Sequence, residues 1–250
     1  MIDSHIHINK KMSNDIKSDI TKINVNSNIE CVLNVGIDLM TSIDVVNIAK
    51  RFPKFYAAVG FHPMNLSDFN LEYLYELASE EKVVAIGEVG IDFLNNDEIL
   101  QKKYLIKQIF LANQVGLPVI IHANNTSRDV IEVFERYAKP RYGCVFHCFQ
   151  PDLEVLDYLV KNNYYISFAG KITYLNAKRS IEVLKKVPNE LFLVETDSPY
   201  FSPEPVRNKA NNAGNLNYII EKIANVKNMS YEEVENITSI NTKRLFKKMK

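Results

Sequence analysis

The 250-residue chain has no excess of one charge: thirty Lys and Arg balance thirty Asp and Glu. That balance excludes a global positive field able to hold long tracts of nucleic acid, though it permits a local basic rim around a site. Cysteine is scarce. Cys31, Cys144 and Cys148 make no even-numbered disulfide framework and fit a reducing interior. Cys144 and Cys148 lie in one strand-like run at the wrong spacing for a zinc knuckle, so the three read as small core residues. No apolar run approaches the roughly 18 residues of a membrane span, and no signal-peptide apolar region is present, so the cytoplasm is the expected location. Low-complexity tracts, linkers, charge blocks and letter repeats are missing too. No glycine fingerprint follows the first apolar run, which removes the main mark of a dinucleotide-binding open sheet.

What is present is a repeat of pattern. Eight apolar runs, at 2–8, 31–36, 55–61, 83–88, 118–122, 144–149, 164–168 and 191–195, mostly read as strands covered on both faces. Amphipathic segments of helical length lie between them, at 41–51, 71–81, 96–115, 127–137, 153–161 and 177–186. The third of these has Ile99, Leu105, Ile106, Ile109 and Leu111 as apolar positions. Two more follow, at 216–226 and 231–248, the last opened by Ser230 and Glu233 in a capping-box pattern. Segment 13–25, rich in Asn, Ser and Thr, is the weakest helix former. With 46% hydrophobic residues there is material for one large core. The alternation predicts a single α/β domain over 1–250, a TIM-type (β/α)8 barrel with a C-terminal helical extension; a doubly wound open sheet is the alternative.

Metal-competent residues close these runs: His5 and His7 in MIDSHIHIN, Glu88 in VVAIGEVGID, His122 in LPVIIHA, His147 in CVFHCF and Asp197 in LFLVETDSPY. Alone, an HxH pair or a histidine ending a strand is a weak mark. Jointly the case is different, because four of the chain's five histidines fall at strand ends on the expected active face and the fifth, His62, ends the third run in GFHP. Residues i and i+2 of a strand share a face, so His5 and His7 project together and can grip one ion. Glu88 could bridge two ions about 3.5–4 Å apart. His122 and His147 can hold the second ion, while Asp197, on the strand next to the first, returns to the His5/His7 ion. Imidazole and carboxylate together suit Zn, Mn, Fe or Mg.

With these motifs in order, the chain resembles the TatD family of metal-dependent hydrolases, in the amidohydrolase-type barrel group. The match runs through IDSHIHIN, VGFHP, IGEVGID, LPVIIHA, VFHCF, FAGKITY and VETDSPYFSPEP followed by Arg207, and the closing Ile240-Asn241-Thr242 with Leu245-Phe246 resembles the family's terminal helix. The resemblance implies a barrel holding one or two divalent ions and a hydrolase, most often a 3′–5′ exonuclease or other DNase, with DNA or an oligonucleotide as transient substrate. No membrane or obligate protein partner is implied. Carried onto this chain, the ligands are His5, His7, Glu88, His122, His147 and Asp197. His62 becomes a substrate-positioning or proton-transfer group, its plain alternative being a rim histidine bonded to its own loop. Asp92 orients a ligand imidazole or fixes its loop. Asp197 is the expected general base, with Glu88 and His62 completing the catalytic set, and Lys171, Arg128 and Arg207 are the nearest phosphate contacts. Departures fall in loops expected to touch substrate: Asn124 where the family has arginine, Gln150-Pro151 where it has Ser-Gly, and Ala210-Asn211-Asn212-Ala213 where it has Arg-Asn-Glu-Pro. None touches a ligand. They keep open a hydrolase of a small amide, lactone or ester, and a catalytically silent metal-binding barrel. Nucleic-acid binding without cleavage is disfavoured by the neutral charge.

Overall fold

Val, Ile, Leu and Phe fill the apolar runs, and a strand covered on both faces needs apolar side chains on both, which favours a parallel sheet. The computed structural model describes residues 1–13, 15–94 and 97–250. Its eight strands are β1 (Ile2–Ile6), β2 (Cys31–Val35), β3 (Phe55–Val59), β4 (Val83–Asp92), β5 (Val119–Asn124), β6 (Cys144–Phe146), β7 (Tyr165–Phe168) and β8 (Phe192–Val194). They pair in chain order, every neighbour parallel. Just beyond β8 the ring nearly closes on β1: Ile6 bridges Ser198. The Asp197 N–H donates to His5 O at 2.9 Å and the His7 N–H to Ser198 O at 2.8 Å. This is the expected TIM-type barrel.

Among the described residues the helices are α1 (Ile16–Val25), α2 (Leu39–Arg51), α3 (Leu71–Ala78), α4 (Glu98–Val115), α5 (Ser127–Arg136), α6 (Leu153–Lys161), α7 (Lys178–Lys186), α8 (Leu216–Lys227) and α9 (Tyr231–Leu245). α9 is the C-terminal extension. It opens on the Ser230/Glu233 capping box, and the Asn241 side chain donates to Asn189 O and Phe192 O, tying the helix to β8. The helices expected at 13–25 and 96–115 include Asn14 and Asn96, which lie outside the described residues. None of the described helices is long and apolar enough to cross a membrane.

Two differences from the sequence reading bear on the site. β4 and β5 run past Glu88 and His122, to Asp92 and Asn124, so these two side chains sit within strands rather than at their ends. Gly90 makes the extension possible, because a Cβ there would come within 1.8 Å of His122 O. In α4, Ile99 is exposed, while Gln101 and Gln108 are buried and bonded to strand-end backbone. The Gln108 carboxamide accepts from Phe61 N–H at 2.8 Å and donates to Phe61 O at 3.1 Å, and Gln101 does the same for Asp92 at 2.8 and 2.9 Å.

Candidate metal centre

The C-terminal ends of the strands open into a cleft of about 540 Å³. His7, His62, Glu88, His122, His147 and Asp197 line it, and His5 lies fully buried beneath. His5 on β1 and His7 just past its end, two residues apart, bring their Nε2 atoms to 3.2 Å. The Nδ1–H of His7 donates to Val35 O at 2.9 Å, which leaves the Nε2 lone pair facing the cleft. Glu88 divides its two oxygens. Its Oε2 is 3.5 Å from His5 Nε2 and 3.6 Å from His7 Nε2, and its Oε1 is 2.7 Å from both His122 Nδ1 and His147 Nε2. Asp197 adopts φ +53° with its N–H bonded to His5 O, and its Oδ1 stands 3.4 Å from His7 Nε2 and 4.0 Å from His5 Nε2. Donors on one tetrahedral ion with bonds of roughly 2.0–2.2 Å would be about 3.3–3.6 Å apart. In the first set, His5, His7, Asp197 and one Glu88 oxygen, three separations of 3.4, 3.5 and 3.6 Å fall in that range, with His5–His7 at 3.2 Å and His5–Asp197 at 4.0 Å on either side of it. The second set, His122, His147 and the other Glu88 oxygen, is drawn closer by hydrogen bonds. The donor set therefore fits divalent ions on both sides of Glu88.

The electrostatics are those of a cation site. Burial opposes the Glu88 charge, but His147, His62 and the bonded imidazoles outweigh it and hold the carboxyl well below its usual range. Burial likewise opposes the Asp197 charge, and the His7 hydrogen bond overrides it. His7, His122 and His147 are raised despite burial, each by the carboxylates it faces, whereas burial and the neighbouring His147 push His5 down.

His62 differs. Burial pushes it down to about 3, so the ring is neutral at ordinary pH. Its Nδ1 accepts the Met64 N–H at 3.1 Å, so the ring proton sits on Nε2, 3.5 Å from Glu88 Oε1. In that tautomer His62 offers the cleft an N–H at Nε2, within the His62–Glu88–His122 cluster, and it is also bonded to its own loop. Asp92 likewise meets both descriptions given for it. Its Oδ2 accepts from His122 Nε2 at 3.0 Å, which holds the carboxyl down at about 2, and its Oδ1 accepts Leu94 N–H at 3.0 Å.

Two of the departures from the family pattern meet here. Asn124 Nδ2 donates to Asp92 Oδ2 at 3.2 Å, and its Oδ1 accepts from Gln150 Nε2 at 2.7 Å, so both amides continue the chain that holds His122. Of the three cations named from sequence, Lys171 lines the cleft, its Nζ 3.6 Å above the Phe201 ring. Arg128 is engaged by Asp152 and Glu154, and Arg207 by Glu204 and the Tyr174 ring; neither lines the cleft. Tyr200 and Phe201 also stand on the cleft wall and Glu195 lies buried behind His147, none of the three among the residues named from sequence. Glu195 ends the apolar run LFLVE, the same signal that marked Glu88.

A family model described as TatD-related DNase matches residues 2–247. The chain is 35% identical over 252 residues to the uncharacterized metal-dependent hydrolase YabD of Bacillus subtilis (strain 168), covering 99% of each. It is 30% identical over 252 residues to the uncharacterized metal-dependent hydrolase YcfH of Escherichia coli (strain K12), covering 98% of this chain and 95% of that one. Among solved structures, YJJV, a TatD homologue from Escherichia coli K12, matches with a TM-score of 0.90 at 27% identity, over 99% of this chain and 98% of that one.

Proposed function

This chain belongs to the TatD family of metal-dependent hydrolases, and from that premise we propose that it cleaves phosphodiester bonds of DNA or oligonucleotides, working from the 3′ end. The observation that carries the reading is the division of Glu88 between two imidazole sets on the floor of an open cleft. His5, His7 and Asp197 would hold one ion, His122 and His147 a second, and Glu88 would bridge them; Zn, Mn, Fe and Mg all suit the donors. Bound there, divalent ions polarise the ester and acidify water toward neutral pH.

The chain's own residues supply the rest. Asp197 takes the proton of the attacking water at its second carboxylate oxygen, Oδ2. The Nε2–H of His62 donates to a phosphoryl oxygen, and Lys171 Nζ, with no carboxylate partner among the described residues, holds the phosphate. Asp92 keeps the His122 ring in place. Tyr200 and Phe201, both exposed on the wall, give a terminal nucleotide a face to rest on.

A small ester or lactone is the second reading. The uncharged Asn124–Gln150 pair and the apolar Met12, Met64 and Leu94 lining the same cleft favour it. One assay separates the two. Metal-reconstituted chain is offered single-stranded DNA labelled at either end, beside a panel of lactones and simple phosphodiesters. The nuclease reading expects immediate release of a 3′ label, stepwise shortening of 5′-labelled strands, and loss of both with a chelator. Intact DNA beside turnover of a lactone would replace it with the second reading.

A further inference from the structure

Behind the centre lies a buried carboxylate that the proposed chemistry does not use. Glu195 is 1% exposed, and it is fixed on both oxygens: Oε1 accepts the Cys148 N–H at 2.6 Å and Oε2 accepts Ser167 Oγ–H at 2.6 Å. Its Oε1 stands 3.5 Å from His147 Nδ1. His5 and His147 stack with centroids 4.2 Å apart and planes 15° from parallel. Each of the two rings offers a nitrogen to a cluster with Glu195 in which all atoms lie within 4.8 Å of one another. The Nδ1 atoms of His5 and His147 are both buried, and neither has a hydrogen-bond partner.

An imidazole that gives one nitrogen to a cation needs an acceptor for the N–H of the other, and a carboxylate is the usual one. Each carboxylate oxygen accepts at two lone pairs, so Glu195 retains capacity after Cys148 and Ser167 are served. We infer that Glu195 is a positioning residue for both halves of the centre, orienting His147 from behind through its Nδ1–H and, through the stacked pair of rings, fixing His5 against it. One carboxylate then couples the two ion positions from outside as Glu88 couples them from within.

This inference rests on the ligand set proposed above, and its test reads metal binding rather than turnover alone. Metal-stripped parent and Glu195→Gln proteins are titrated with Zn(II) by calorimetry. Glutamine keeps the shape and can still accept the Cys148 N–H, but it lacks the charge. Zinc affinity is expected to fall about ten- to a hundredfold. At limiting zinc kcat should drop with KM unchanged, and excess zinc should restore it, which a merely structural lesion would not show. Unchanged affinity, or activity lost beyond rescue by zinc, would overturn the assignment. If Glu195→Gln does not fold, Ser167→Ala frees Oε2 while keeping the charge and is expected to weaken zinc binding several-fold; parent-like affinity there would overturn it equally. A parent chain that binds no zinc would instead remove the ligand set on which the inference stands.

Discussion

Three imidazoles of the centre are held at one ring nitrogen so that the other is aimed. Val35 O holds His7, Asp92 holds His122, and the Met64 N–H fixes His62 in the opposite sense, as a donor. The six candidate donors that the cleft brings together were legible in the sequence because each closes or follows an apolar run, and two of them sit two residues apart. Their holders were less so: a backbone carbonyl such as Val35 O leaves no letter, and Glu195 was hidden by the more conspicuous TDSP beside it. Two outcomes belong to this scale. Asp197→Asn keeps the shape and the backbone bond to His5 but removes the base; kcat is expected to fall about 10²–10⁴-fold. A steady-state assay with the metal content verified decides it, and full turnover would contradict the role. Asp92 gives a pH test. Its carboxyl is held at about 2 against an ordinary 3.8, so its contribution is complete above the ordinary value and is lost as pH falls through 2. In urea melts of metal-free protein, the gap between parent and Asp92→Asn should approach roughly 2 kcal/mol at pH 5 and close toward pH 2. A gap that does not vary with pH would show that the His122 pair is not its source.

At the level of elements, strands were the easier reading, since a run covered on both faces can hardly be anything else in this alternation. Their ends were harder. β4 continues to Asp92 because Gly90 lets its backbone lie against His122 and because Gln101 satisfies the backbone of the final residue. α4 inverts the simple rule: apolar Ile99 faces water, while Gln101 and Gln108 turn inward to pair with strand-end amides. A glutamine in an amphipathic helix reads as solvent-facing until the strand it pairs with is in place. The Gln108 pair holds Phe61, the residue before His62. Gln108→Leu leaves the buried Phe61 N–H and C=O unpaired, at about 1–3 kcal/mol for each group. Urea denaturation should therefore show a loss above about 2 kcal/mol; parent-like stability would mean that the amide is not a structural staple.

Across the whole molecule, the barrel was legible from eight runs and their spacing, and the site from where those runs stop. Substrate choice was not. The cleft wall brings together residues far apart in sequence that meet only when the ring closes, as Asn124 at the end of β5 and Gln150 after β6 do. The charges gathered at the centre also couple metal binding to global stability. An ion that binds only the folded chain adds about 2.7 kcal/mol at a hundred times its Kd. For a chain of this size that is a Tm rise of roughly 5–10 °C on reconstitution. Calorimetric melts with and without chelator should show it, and Glu88→Gln should lose most of it; identical melts in the parent would speak against a metal centre. The most direct measurement is anomalous diffraction from crystals reconstituted with manganese or zinc. Two peaks are expected, about 3.5–4 Å apart across the Glu88 carboxylate, one against His5, His7 and Asp197 and the other against His122 and His147. A map with no peak at Glu88, or with peaks only on surface carboxylates, would contradict the centre described here.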